Sequence, residues 1–311
     1  MFNSKKEDEM PIDEIKNVCV VGAGTMGSRI SLMCAARGYE TTVYDTSEEA
    51  LQRAPLRQKE MAERMIMMGG MSQDAVEAGL KNTTFTADLE KAAKKADLIS
   101  ESVFEIVELK RKVHAQLDQL CPPNTILTTN TSSLLVSDIE DAVGRGDKFA
   151  AMHFHGGLGS LVDIMRGPRT SDETVDILKR FSRSIGEVPM VMKKEKGGYL
   201  YNTLLGGLLG AAWGLVLGGY AEPEDVDRAY MLVNRQPVGP FGIMDAIGLN
   251  VIMDAASGGG LEREEFGLQS AAEYLRPYIE RGDLGAKTGK GFYNYPNPAY
   301  QQPEFLGGDD S

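Results

Sequence analysis

Asn17-Val-Cys-Val-Val-Gly-Ala-Gly-Thr-Met-Gly27, followed by SRISLMCAARG to Gly38 and ETTVYD to Asp45, is the stretch on which the fold turns. NVCVV is a short apolar run, the signature of a strand buried on both faces. GAGTMG has the form GxGxxG. SRISLMCAARG has helical periodicity and stops at Gly38, and ETTVYD reads as a second strand. A glycine loop that follows a strand and opens a helix inside a βαβ unit is the context in which this motif binds a dinucleotide. Gly22 suits the tight turn, Gly24 the close approach of a pyrophosphate, and Gly27 the helix-to-strand contact. Thr25 and Met26 open the helix, whose N-terminal N–H groups and dipole favour phosphate. Asp45 ends the second strand, where a carboxylate accepts from a ribose hydroxyl and repels a 2′-phosphate. The cofactor expected is therefore NAD.

The alternation continues outward from this unit. Residues 48–79, rich in Met and charge, read as two helices broken at Gly69-Gly70. ADLISES is read as a strand, ELKRKVHAQL as a helix and TILTTNTSS as a strand and turn. LVSDIEDAV is read as a helix, KFAAMHFH and LVDIM as strands, ETVDILKRFSRSIG as a helix and VPMVMK as a strand. Strands and helices in this rhythm predict an α/β, doubly wound Rossmann-type sheet. After Lys196 long helices dominate. The expected organisation is a mobile lead-in at 1–14, an NAD-binding domain at 15–195, an all-α C-terminal domain at 196–300 and a loose tail at 301–311.

From Gly197 to Ala221 the chain carries no charge. Gly206, Gly210, Gly214 and Gly218 recur every four residues and place a smooth ridge along one helix face. The reading favoured is a buried helix in close contact with another, at a subunit interface, rather than a membrane span.

Composition narrows the function classes. Asp and Glu number 45 against 33 Lys and Arg, for a net charge of −12. So acidic a surface repels nucleic acid and anionic lipid. Three cysteines, far apart and in no CxxC pair, suit reduced thiols and a cytoplasmic setting. The first 14 residues have no apolar core of a secretory signal.

AAMHFHGGLGSLVDIM, residues 150–165, holds two of the three histidines. His153 and His155 share one side of a strand, and Asp163 lies on the next. Three readings fit: a three-ligand metal site, packing, or proton transfer. No fourth ligand lies nearby in sequence, and hydride transfer to NAD needs no metal, so none is expected. Oxidising an alcohol requires a base for the hydroxyl proton, a task histidine performs near neutral pH. A carboxylate on the other ring nitrogen fixes the tautomer.

These pieces together resemble the L-3-hydroxyacyl-CoA dehydrogenase family from about Ile15 to Tyr295. The matching segments are VVGAGTMG with VYD, ADLISESVFE, NTSSL at 130–134, AMHFH followed by LVDIM, GGYLYNTLL at 197–205, PVGPFGIMDAIGL at 237–249 and KTGKGFYNY at 287–295. The resemblance implies a Rossmann domain, a helical domain that dimerises, and oxidation of a 3-hydroxyacyl-CoA to the 3-oxo form. It assigns the base to His153 and its partner to Asp163, where the family has glutamate. It aligns Ser132 with a serine binding substrate and cofactor, and Asn202 with an asparagine contacting the substrate oxygen. Glu105, Lys110 and Lys287 align with cofactor-contacting positions. Taken singly, Ser132 could be a turn residue, Asn202 a structural amide and Lys287 a solvated charge.

The departures cluster beside the base. The family's HFFNP is HFHGG here, and the stretch to the carboxylate is about two residues shorter. Aspartate shortens the carboxylate arm by one methylene, about 1.5 Å of bond length. An unusual acyl group, branched or cyclic, is expected, with a small free 3-hydroxy acid as the second substrate reading. A catalytically silent NAD-binding protein is the competing class of function. Arg53, Arg57 and Arg64 lie close to one helical face and are candidates for the CoA phosphates.

Overall fold

A computed structural model describes residues 12–67, 71–155, 161–257 and 268–307. Most of the expected lead-in, the Gly69-Gly70 break, the Gly156-Gly157 substitution and the end of the tail lie outside these. Cα packing divides the chain into Met1–Tyr199 and Leu200–Ser311.

The first unit is built on strands β1 (Asn17–Val21), β2 (Glu40–Tyr44), β3 (Thr83–Thr86), β4 (Leu98–Glu101), β5 (Ile126–Thr129), β6 (Phe149–Phe154), β7 (Leu161–Arg166) and β8 (Val188–Met192). They form one sheet in the order β3-β2-β1-β4-β5-β6-β7-β8. β1 to β6 run parallel, β7 returns antiparallel to β6, and β8 runs with β7. The helices are α1 (Thr25–Ala36), α2 (Glu48–Met67), α3 (Gln73–Asn82), α4 (Leu89–Ala93), α5 (Val107–Leu120) and α6 (Asp172–Ser184).

Strand alternation feeds a core on each face of the sheet. Val18 and Val20 of β1 join Ala150, Met152 and Phe154 of β6 on one face, under Ile30 of α1 and Phe181 of α6. Cys19 and Val21 join Phe149 and Ala151 on the other, under Leu117 of α5. His153 and His155 therefore belong to the second face by parity.

Two readings need correction. Thr83–Thr86 is a strand, β3, that four residues of mostly threonine did not announce. Residues 136–142 form short 3₁₀ turns rather than an α-helix. Side chains take up several of the segment's backbone groups. Asp138 accepts from Leu135 N–H, Glu195 accepts from Ser137 N–H, and Arg111 and Arg169 donate to the carbonyls of Asp138 and Glu140.

The second unit is helical: α7 (Tyr199–Leu217), whose first residue closes the first unit, α8 (Pro223–Asn234), α9 (Pro240–Ile247), α10 (Leu249–Ser257) and α11 (Leu268–Arg281). Its core surrounds Trp213, which is fully buried and meets Phe241, Tyr274 and Phe292 edge-on. Two buried aspartates tie this unit together. Asp227 accepts from Phe241 N–H, Gly242 N–H and the Tyr293 hydroxyl. Asp245 accepts from Phe292 N–H, Tyr293 N–H and the Tyr295 hydroxyl.

The glycine-ridged helix is only partly covered within the chain. Only 22% of its apolar stretch is buried. One stripe, including Leu209, Ala212 and Trp213, enters the core, while Leu200, Leu204, Gly214 and Leu215 are exposed. Of the ridge glycines, Gly214 has open space where a Cβ would sit, while a Cβ at Gly218 would meet the Tyr220 ring. By length and composition, α7 is the one helix among the described residues that could cross a membrane.

Candidate active site

The candidate residues of the first unit gather along the carboxyl ends of the strands, the edge at which open α/β sheets bind ligands. The glycine loop follows β1. Gly22 takes φ +110°, and a Cβ there would strike the Ser102 carbonyl at 2.6 Å. At Gly27 a Cβ would sit 1.8 Å from the Gly22 carbonyl oxygen. Gly24, by contrast, faces open space. This cradle, opening onto the first-turn amides of Thr25, Met26 and Gly27, fits a pyrophosphate. Asp45 accepts from Ala23 N–H at 2.7 Å and from Ser47 N–H at 2.8 Å, which holds its carboxylate beside the loop.

The arginines of α2 divide. Arg57 turns to the glycine loop and donates to the Ala23 carbonyl at 2.9 Å. Arg53 pairs with Glu49 one turn away, and Arg64 is exposed. The expected row of three cations for CoA is thus not held as one set: Arg57 serves the cofactor loop.

Lys110 and Glu105, expected at cofactor-contacting positions, bring their charged ends to 3.6 Å of each other. Lys110 is fully buried, and its ammonium donates to Glu101 at 2.9 and 3.2 Å and to the Asn130 carbonyl at 3.1 Å. His114 lies 3.2 Å from the same Glu101 carboxylate. Burial pushes the Glu101 carboxyl up, and His114 and Lys110 more than offset this, leaving it below its ordinary value. Glu105 gathers the NTSS turn, accepting from the Thr131 hydroxyl at 2.5 Å and from Ser132 and Ser133 N–H at 2.8 and 3.0 Å. Ser132 is exposed, with its backbone fixed and its hydroxyl presented at the surface.

The histidines follow β5 and β6. Asn130 accepts from Phe154 N–H at 3.1 Å, joining the two strand ends. His153 and Asp163 stand directly opposite in the β6–β7 ladder, yet the pairing differs from expectation. His153 Nδ1 lies 3.7 Å from Asp163 Oδ2, whereas His155 Nε2 lies 2.7 Å from the same oxygen. The short aspartate arm stops before His153, and His155 reaches it from the end of the strand. The His153 Nδ1 atom is buried and has no hydrogen bond among the described residues. All three side chains are buried, and the imidazole centroids are 4.3 Å apart. Burial raises the Asp163 carboxyl, but the two imidazoles hold it below its ordinary value.

The three ligand-type atoms lie within 4.8 Å of one another. The 2.7 Å contact between His155 Nε2 and Asp163 Oδ2 is of hydrogen-bond length.

Tyr199 was not anticipated. It is fully buried at φ +50°, and its ring stacks on His153 at 4.7 Å. The preceding glycines allow this: Gly198 donates to the Ser132 carbonyl at 3.1 Å, and a Cβ at Gly197 would strike the Ser133 carbonyl. GGY in the sequence was the available signal. In the second unit, Asn202 is half-buried on the first turn of α7, and Lys287 donates to Asn250.

A dinucleotide cradle and a buried imidazole beside a carboxylate, along one sheet edge, define an NAD-dependent oxidoreductase. Residues 17–196 match the family model for the NAD binding domain of 3-hydroxyacyl-CoA dehydrogenase, and residues 198–295 match that for its C-terminal domain. The chain belongs to the 3-hydroxyacyl-CoA dehydrogenase family. A probable 3-hydroxyacyl-CoA dehydrogenase of Caenorhabditis elegans is 31% identical, the match covering 95% of this chain and 99% of that protein. A probable 3-hydroxybutyryl-CoA dehydrogenase of Deinococcus radiodurans is 34% identical over 89% and 99%. A solved diketoreductase, described as acting on dicarbonyl compounds, is 38% identical with a TM-score of 0.84, covering 91% of this chain and all of that one.

Proposed function

We propose that the protein oxidises the hydroxyl carbon of a 3-hydroxyacyl-CoA to the 3-oxo form, with His153 as the base. The observation that carries this reading is the buried His153 imidazole beside the Asp163 carboxylate, on the sheet edge that also bears the glycine loop. NAD, when bound, supplies the two-electron acceptor. The Gly22–Gly27 loop and Asp45 hold it by pyrophosphate and ribose. His153 takes the hydroxyl proton through Nε2 while Asp163 stabilises the imidazolium charge. Tyr199 fixes the plane of the ring by stacking, and Glu105 holds the turn that presents the Ser132 hydroxyl. In the reductive direction His153 returns the proton.

The altered sequence after His155, with Gly156-Gly157 in place of the family's Asn-Pro, supports an unusual acyl group, branched or cyclic. The 38% identical diketoreductase favours a second reading, a carbonyl substrate without CoA. The half-open face of α7 supports a homodimer, and three buried free thiols suit a reducing, cytoplasmic setting.

The test is NADH absorbance across a panel of 3-hydroxyacyl-CoAs, free 3-hydroxy acids and dicarbonyl compounds. His153→Ala is expected to lower kcat by about 10²–10⁴ with NAD affinity kept. Unchanged kcat in this variant on the best substrate would refute the base assignment.

A further inference from the structure

Proton transfer at this site uses one imidazole and one carboxylate, yet a second imidazole converges on the same oxygen. We infer that His153 Nδ1, His155 Nε2 and Asp163 Oδ2 form a binding site for a divalent ion of the zinc class, and that the bound ion switches off His153 as a base. The site stands on its own geometry; its inhibitory effect rests on the reading of His153 as the base.

Strand pairing builds the site. His153 and His155 lie two residues apart on β6 and share one side, with ring centroids 4.3 Å apart. Asp163 stands opposite His153 on β7. The three donor atoms lie within 4.8 Å of one another. Ligands about 2.0–2.2 Å from a tetrahedral ion stand about 3.4 Å from each other. His153 Nδ1 and Asp163 Oδ2, 3.7 Å apart, are already close to that spacing. His155 Nε2, 2.7 Å from the same oxygen, reaches it by moving about 0.7 Å once the proton between them has left.

Two atoms without partners point to a ligand. His153 Nδ1 and Asp163 Oδ1 are buried and have no hydrogen bond among the described residues. Burying a polar atom unpaired is costly. An ion between the three side chains takes the Nδ1 lone pair and sits against the carboxylate. Among the described residues Asp163 pairs with the two imidazoles, so no lysine or arginine competes for its charge. Two imidazoles and one carboxylate suit borderline divalent ions such as Zn²⁺ and Co²⁺, whereas Mg²⁺ and Ca²⁺ seek oxygen. Three protein ligands leave a fourth position to water.

The ion takes no part in hydride transfer; it acts on the tautomer. A proton on His153 Nδ1, toward Asp163, leaves the Nε2 lone pair to accept the hydroxyl proton. When the ion takes Nδ1, the single proton of the neutral ring moves through solvent to Nε2. Nε2 is then an N–H donor and has no lone pair for the substrate. Removing the ion returns the proton to Nδ1 and the base to service.

The test uses the full chain after dialysis against a chelator. One equivalent of Co²⁺ per chain should give the strong visible absorption of a four-coordinate site, and Zn²⁺ should displace it. Micromolar Zn²⁺ should inhibit oxidation of the best substrate, with NAD affinity kept and chelator restoring the rate. His155→Gln removes one ligand. Cobalt affinity and zinc inhibition, the latter measured against the variant's own metal-free rate, should both weaken at least tenfold. His155→Phe removes the ligand without leaving an amide oxygen, and it carries the test if the Gln variant does not fold. Absence of the cobalt band in the unaltered chain, or zinc inhibition undiminished in both His155 variants, overturns the inference. Either result with an inactive His153→Ala variant overturns this inference alone. A cobalt band that depends on His155, with the rate untouched by the ion, confirms the site and overturns both the switch and the reading of His153 as the base.

Discussion

Glu101 bears on stability as much as any residue of the first unit. It is fully buried, and it receives Lys110, His114 and the Thr129 hydroxyl. Because its folded-state carboxyl lies below the unfolded value of about 4.3, it contributes stability that is complete above that value. That contribution is lost as pH falls through the folded value. Glu101→Gln, which leaves the buried Lys110 ammonium without its carboxylate, should cost about 3–5 kcal/mol near pH 7. Thermal melts from pH 7 to pH 3 should show the variant's deficit shrinking toward acid; a deficit independent of pH would refute the ionic account. Sequence alone gave little hint of this cluster, since its four groups come from β4, two turns of α5 and the end of β5. The opposition of His153 and Asp163 was legible, because alternation and a short hairpin fix which side chains share a face. Which histidine the carboxylate meets was not legible, because it turns on about 1 Å of side-chain reach.

The strand-loop-helix around GAGTMG was readable because its demands are local. A tight turn, a close backbone approach and a close helix-to-strand contact each call for glycine at a set position. The structure adds how little room there is. A methyl on Gly27 would meet backbone atoms of Gly22, which cannot swing aside as a flexible side chain could. Gly27→Ala should therefore destabilise by about 1–3 kcal/mol and weaken NAD binding at least tenfold, read by thermal melts and fluorescence titration. Unchanged affinity would mean that the loop does not hold the cofactor. The 136–142 segment is the opposite case: its apolar spacing suggested an α-helix, but most of the side chains that take up its backbone groups lie far away in sequence.

The acidic chain leaves an apolar strip of α7 uncovered, with Leu200, Leu204 and Leu215 exposed and open space over Gly214. If that strip is the seat of a second copy, light scattering should give about twice the 33.8 kDa chain mass. Leu204→Glu with Leu215→Glu should then yield monomer with the helical content retained. A monomer before any substitution would refute the dimer. Periodicity located this helix but could not say which of its sides the chain itself would cover, because that depends on the packing of α8 to α11.

Trp213 is the sole tryptophan of the chain, and it sits within the aromatic core of the helical unit. Its emission is a natural reporter for that unit alone, while the doubly wound sheet is spectroscopically dark at the same wavelengths. Denaturation followed by tryptophan colour and by backbone dichroism would therefore reveal whether the two halves melt as one body or in turn, with no dye attached.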